Sequence, residues 1–122
     1  MNSIDLYYDI DLPSIFHLQH PMGTILGRAK YGQFLSVAQG VTVGKNKMKT
    51  AKFGDFVTLY PQSMVIGNSI IGNNVIISAG TIVKDAIIPD NSIVFGISPN
   101  LIIKEKSKKD IYNIIRDRWN FI

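Results

Sequence analysis

Cysteine is absent from this chain of 122 residues. Its absence removes a disulfide framework, a thiolate metal site and a thiol nucleophile together, and is compatible with a cytoplasmic setting. Histidine is nearly as scarce, with only His17 and His20. Zinc needs three or four ligands, and residues three apart on a strand point to opposite faces, so no metal is expected. No apolar run approaches the roughly 20 residues that span a bilayer. The first residues carry Asp5, Asp9 and Asp11 among apolar neighbours. They lack the basic start and apolar core of a secretory signal. Charge of one sign is limited too, at a formal net +4. The lysines gather in a central stretch (Lys45, Lys47, Lys49, Lys52) and a late one (Lys104, Lys106, Lys108, Lys109). Neither alternates with aromatics or marks a recognition helix, so nucleic acid is not an expected partner. Solvated surface accounts for them, or contact with an anionic ligand such as a nucleotide phosphate.

What is present is a beat of six. From Phe53, every sixth residue is Leu59, Val65, Ile71, Ile77, Val83 and then Pro89. Four places after each comes a small or β-branched companion: Val57, Ser63, Ser69, Val75, Thr81, Ile87 and Ile93. Turn formers lie between, as in Gly54-Asp55, Gly67-Asn68, Gly72-Asn73-Asn74 and Pro89-Asp90-Asn91. A hexad of this kind predicts an all-β chain wound as a parallel β-helix. Each hexad makes a short strand and a turn, and three complete a triangular coil. Beat residues point inward, and coils stack at about 4.8 Å with backbone groups paired above and below. Gly, Asn and Asp suit the corner dihedrals.

Upstream the beat is carried in shifted frames. Leu6, Leu12, Leu18 and Thr24 form one register, with Ile10, Phe16 and Met22 as companions. The frame slips at Ile25 and resumes as Ile25, Tyr31, Val37 and Val43, accompanied by Ala29, Leu35 and Val41. From Val43 to Phe53 is ten residues, and the polar, basic segment 44–52 reads as a loop thrown out from a corner. After the coil the character changes. Ile111, Ile114, Ile115 and Trp119 recur at helical spacing, and Ser107 with Asp110 reads as an N-cap and a first-turn acid. The expected organisation is a β-helix over residues 1–103 and a short helical tail over 104–122.

The chemistry has few candidates. His20 falls at a predicted corner two residues after Leu18. Asp5 directly precedes Leu6, almost one coil below, so the two can approach each other. A carboxylate would fix the imidazole tautomer, and a histidine of ordinary pKa suits removal of a hydroxyl proton. Asp5 read as an ordinary exposed turn residue, like Asp9 and Asp11, is the other reading.

Three blocks carry a resemblance to a known family: Leu18-Gln19-His20-Pro21-Met22-Gly23, Gln39-Gly40-Val41-Thr42-Val43-Gly44 and Ser78-Ala79-Gly80-Thr81-Ile82-Val83. Together they resemble the serine acetyltransferase branch of the hexapeptide-repeat acyltransferases, over about residues 5–104. The resemblance implies a left-handed coil, a homotrimer, and acetyl-CoA bound as co-substrate between subunits. It implies His20 as general base and Asp5 as its orienting partner. Ser78, Ala79, Gly80 and Lys84 fall where the family lines its CoA groove; a generic corner turn is the alternative there.

Two departures bear on the acceptor. The family usually has an Asp before the catalytic His, where Gln19 stands, and Arg-His-Pro in the extended loop, where Lys49-Thr50-Ala51 stand. The family also usually carries a helical N-terminal domain, whereas this chain starts on the coil. Burying an ammonium without an anion is costly. The expectation is therefore O-acetylation of a sugar or polysaccharide precursor, as in surface-polysaccharide members of this branch, with Gln19 and Lys49 on the acceptor. Serine O-acetylation in cysteine biosynthesis and a non-catalytic β-helix scaffold are the alternatives. Ile122, the last residue, could insert into a partner as the family's terminal Ile does, but Trp119 and Phe121 favour helix packing.

Overall fold

The structure, a computed structural model, describes the backbone of residues 4–6, 16–18, 23–45 and 49–115, and the side chains of 18, 23–45 and 49–115. The strands are numbered in chain order and fall into three columns. The first face stacks β1 (Ile4–Leu6), β3 (Thr24–Leu26), β5 (Thr42–Gly44), β8 (Met64–Ile66) and β11 (Ile82–Lys84). The second stacks β6 (Lys52–Phe53), β9 (Ile70–Ile71) and β12 (Ile87–Ile88), extended by a parallel bridge from Lys30 to Lys52. The third stacks β2 (Phe16–Leu18), β4 (Leu35–Val37), β7 (Thr58–Leu59), β10 (Ile76–Ile77) and β13 (Ser92–Ile97). Every pairing within these columns is parallel, as a solenoid requires.

The beat residues form the core. Leu26, Val43, Val65 and Val83 line the first face from inside, Tyr31, Phe53, Ile71 and Ile88 the second, and Val37, Leu59, Ile77 and Val94 the third; all are buried in one cluster. Each buried aliphatic side chain contributes roughly 1.5–3 kcal/mol. Companions fill the narrowing corners, and the polar ones turn their hydroxyls onto nearby carbonyls. Ser63 Oγ donates to the Tyr60 carbonyl (2.8 Å), Ser69 Oγ to Ile66 (3.0 Å) and Thr24 Oγ1 to Ala38 (2.9 Å).

The expected frame fails at both of its shifts. Leu26, not Ile25, points inward, and Ile25 is 44% exposed. Thr24 is buried, but as the companion of Leu26 rather than as a beat residue. At the other end Ile88, not Pro89, enters the core, Ile87 is 74% exposed and the companions are Ala86 and Ser92. The cause is the same in both places: only five residues separate Leu26 from Tyr31 and Val83 from Ile88, because the intervening corner is one residue shorter. The central insertion is also narrower than expected. Gly44 ends β5, Lys52 begins β6 and Ala51 is fully buried. Register pairs Leu26 with Val43, Val43 with Val65 and Val65 with Val83, steps of 17, 22 and 18 residues, so the surplus sits in one coil.

The end of the rod differs from its body. β13 pairs with β10 through Ile93 and Val94 and reaches β11 through Ile97, so it crosses from the third face to the first. It turns through a cis Ser98–Pro99 bond and returns antiparallel as β14 (Asn100–Glu105). Helix α1 (Lys108–Ile115) follows. Ser107 Oγ accepts the Asp110 N–H at 3.1 Å, the cap read from the sequence. Ile111 and Ile115 are buried on the third face with Ile76, Ile93, Phe34, Phe56 and Tyr60. Ile114 is 46% exposed, and Trp119, Phe121 and Ile122 lie outside the described residues.

One corner shows why glycine recurs. Asp55 Oδ1 accepts the Gln33 N–H (2.8 Å), Asn73 Oδ1 the Asp55 N–H (2.7 Å) and Asp90 Oδ1 the Asn73 N–H (2.7 Å). Each carboxylate or amide thus satisfies the corner amide of the coil before it. A Cβ on Gly54 would overlap Asn73 Oδ1 and the Gly72 carbonyl. Gly54→Ala should therefore lower stability by about 1–3 kcal/mol in urea denaturation, the usual cost of overpacking.

Tyr31 supplies a second test. Its ring stacks on Phe53 with centroids 5.2 Å apart, and its hydroxyl donates to the Gly27 carbonyl at 2.8 Å. Burial pushes its phenol well above the ordinary value. The folded state then keeps the proton when the unfolded chain loses it, so this contribution is intact below the ordinary phenol pKa of about 10 and declines as pH rises past it. Tyr31→Phe should cost about 1 kcal/mol at neutral pH, and thermal melts of the variant should lose less stability on alkalinisation than those of the parent.

Candidate functional site

The corner between the third and first faces carries the Ser78-Ala79-Gly80 segment. Ser78 is half-buried, and its N–H donates to the Val94 carbonyl (3.0 Å). The Thr81 N–H donates back to the Ser78 carbonyl (3.1 Å), closing a four-residue turn with Ala79 and Gly80 exposed at its tip. One coil below, Ser63 and Tyr60 close the same turn around Pro61 and Gln62 (3.2 Å). The second tip residue of each turn is left-handed, with φ of 68° at Gly40, 65° at Gln62 and 71° at Gly80. Gly80 differs from Gly40 in its surroundings. A Cβ at Gly40 would run into the Gln62 amide, whereas one at Gly80 would meet nothing within 4 Å. The backbone at Gly80 is thus open to close approach by an extended ligand.

Lys84 ends β11 on the adjoining face and is exposed. Its N–H donates to Ser98 Oγ at 2.9 Å. The terminal hairpin therefore anchors the strand that follows the Ser78–Gly80 turn. Neither Ser98 nor Gln62 was singled out from the sequence. A serine before proline reads as turn chemistry, and the column that joins Gln62 to Gly40 exists only once the coil is wound.

The remaining candidates are distributed differently. Asp5 is the central residue of β1, and its backbone pairs with Ile25 on the first face. β2 ends at Leu18, in register with Val37 on the third face. Gln19 and His20 lie outside the described residues, so their relation to Asp5 is not part of the described geometry. Lys49 is exposed on the insertion between the first and second faces, a different corner from that of Ser78, Ala79 and Gly80. Among the described residues no cluster of histidine, aspartate and glutamate could hold a metal ion, and no helix is long and apolar enough to cross a membrane.

With this geometry in hand, likeness to known proteins becomes informative. Residues 50–85 match the family described as "Bacterial transferase hexapeptide (six repeats)". The serine acetyltransferase of Staphylococcus xylosus is 32% identical over 97 residues, which is 75% of this chain and 44% of the relative. The crystal structure of Neisseria gonorrhoeae serine acetyltransferase superposes with a TM-score of 0.75 at 27% identity, over 85% of this chain and 42% of that one. Serine acetyltransferase of Brucella abortus in complex with coenzyme A reaches the same TM-score of 0.75 at 24% identity, over 85% and 42% of the two chains, and speaks to the fold. The chain spans less than half the length of the relatives it matches. Hexads that wind a parallel solenoid and the matching stretch at residues 50–85 make this chain similar to the hexapeptide-repeat transferases, and over three quarters of its length it is similar to serine acetyltransferases.

Proposed function

We propose that this chain is an acetyl-CoA-dependent O-acetyltransferase that uses His20 as general base. The observation that carries the reading is the 32% identity to a serine acetyltransferase over 75% of the chain. The open backbone at Gly80 supports it, because a thin, extended arm such as that of acetyl-CoA can lie against a turn without a side chain at its tip. In this reading His20 takes the acceptor's hydroxyl proton while Asp5 holds the imidazole. The hydroxyl oxygen attacks the thioester carbonyl, the carbon–sulfur bond breaks, and CoA leaves as the thiol with the proton from the imidazolium. Ser78, Ala79, Gly80 and Lys84 line the CoA groove. The reaction is a cytoplasmic one and needs no metal.

The site is shared between subunits of a homotrimer. Lys49 and the Ser78–Gly80 turn sit on different corners of one rod, so a site that uses both takes them from two copies. L-serine is the acceptor that the relatives favour. A sugar hydroxyl is the second reading, and it rests on Gln19, which offers no anion for an ammonium, and on Lys49-Thr50-Ala51 in the insertion.

His20→Ala should reduce acetyl transfer by about 10²–10⁴-fold with the circular dichroism spectrum unchanged. Turnover near that of the parent would remove His20 from the mechanism. Release of CoA thiol, followed in parallel with L-serine and with a panel of sugars, decides the acceptor. Robust turnover of serine is the expected result, and turnover of sugars alone would move the assignment to the second reading.

A further inference from the structure

A groove away from the Ser78–Gly80 corner has the composition of a ligand site. It lies where helix α1 meets the corner between the second and third faces, and encloses about 400 Å³. That volume falls within the range of small-molecule pockets, roughly 300–1,000 Å³. Phe56, Asn74, Lys108, Lys109 and Tyr112 line it.

Its origin is legible in the coil repeat. Phe34, Phe56, Asn74 and Asn91 occupy equivalent left-handed positions in successive coils, with φ of 58°, 58°, 55° and 57°. The rings of Phe34 and Phe56 stack with centroids 4.4 Å apart and planes inclined by 6°. The next coil replaces the ring by the shorter Asn74, so the aromatic stack stops and leaves space beside Phe56. Asn74 brings an amide with both a donor and an acceptor to that space. Lys108 and Lys109 bring two exposed cations that form no ion pair among the described residues, and Tyr112 closes the opposite side at 42% exposure. Ser107 Oγ accepts the Asp110 N–H, and the two lysine cations at the start of the helix supply attraction for an anion.

We propose that this groove binds a planar heteroaromatic ring bearing a phosphate, that is, a mononucleotide moiety. The ring continues the Phe34–Phe56 stack, Asn74 reads its polar edge, and Lys108 and Lys109 hold the phosphate. The site is separate from the CoA groove of the proposed reaction and does not depend on acetyl transfer.

Titration calorimetry with adenosine 5′-monophosphate, on the full chain, tests the proposal. Adenosine and inorganic phosphate each bind more weakly than the nucleotide. Phe56→Asn keeps a residue that suits the left-handed corner, as Asn74 does, and weakens binding by about tenfold or more, the effect of losing one aromatic stacking partner. The double variant Lys108→Gln, Lys109→Gln, on the exposed side of the helix, also weakens it and reduces its dependence on salt. The proposal is overturned if the nucleotide does not bind, or if both variants bind it as the parent does.

Discussion

Each coil of this molecule is held by the backbone of the next. The Ile25 N–H donates to Val41, Thr42 to Ser63 and Met64 to Thr81, at 2.8 to 3.0 Å. Strands of two or three residues cannot be stable alone, and almost none of their hydrogen bonds are local. The whole column must therefore be in register before any of it is satisfied. Inward side chains provide that register, because a slip of one residue would expose a beat position and bury its polar neighbour. The corners then follow as the places where the chain has to bend without losing the ladder.

Most of this was legible in the residues. Phe53, Leu59, Val65, Ile71, Ile77 and Val83 are all core residues, as their spacing requires. The Ser107 cap and the burial of Ile111 and Ile115 were equally plain. The frame was misread at Ile25 and Pro89 because adjacent apolar residues leave two alignments open. Ile25-Leu26 and Ile87-Ile88 each offer a large aliphatic residue for either side of the strand, and only the pairing of neighbouring coils chooses between them. Ala51 was assigned to a loop for a related reason: a small residue among lysines gives no sign that it is a companion to Phe53.

The site was legible unevenly. The Ser78–Gly80 turn can be picked out by its composition, but the contrast between Gly80 and Gly40 depends on Gln62, which stands near Gly40 only in the wound coil. Ser98 is a similar case, since its bond to the Lys84 amide spans the terminal hairpin. The aromatic groove was invisible for the same reason. Phe34 and Phe56 are 22 positions apart in sequence and stack face to face because one coil holds the inserted segment. Sequence periodicity thus reports what points inward, whereas surface chemistry arises from which coils become neighbours.

The antiparallel return of β14 along β13 has a consequence for the end of the rod. A parallel rod offers its last coil as a template on which another chain could continue the ladder. Here the final strand doubles back, so its hydrogen-bonding partners at that end are consumed by a neighbour running the opposite way. The hairpin thus closes the parallel ladder of the third face with a strand of opposite direction.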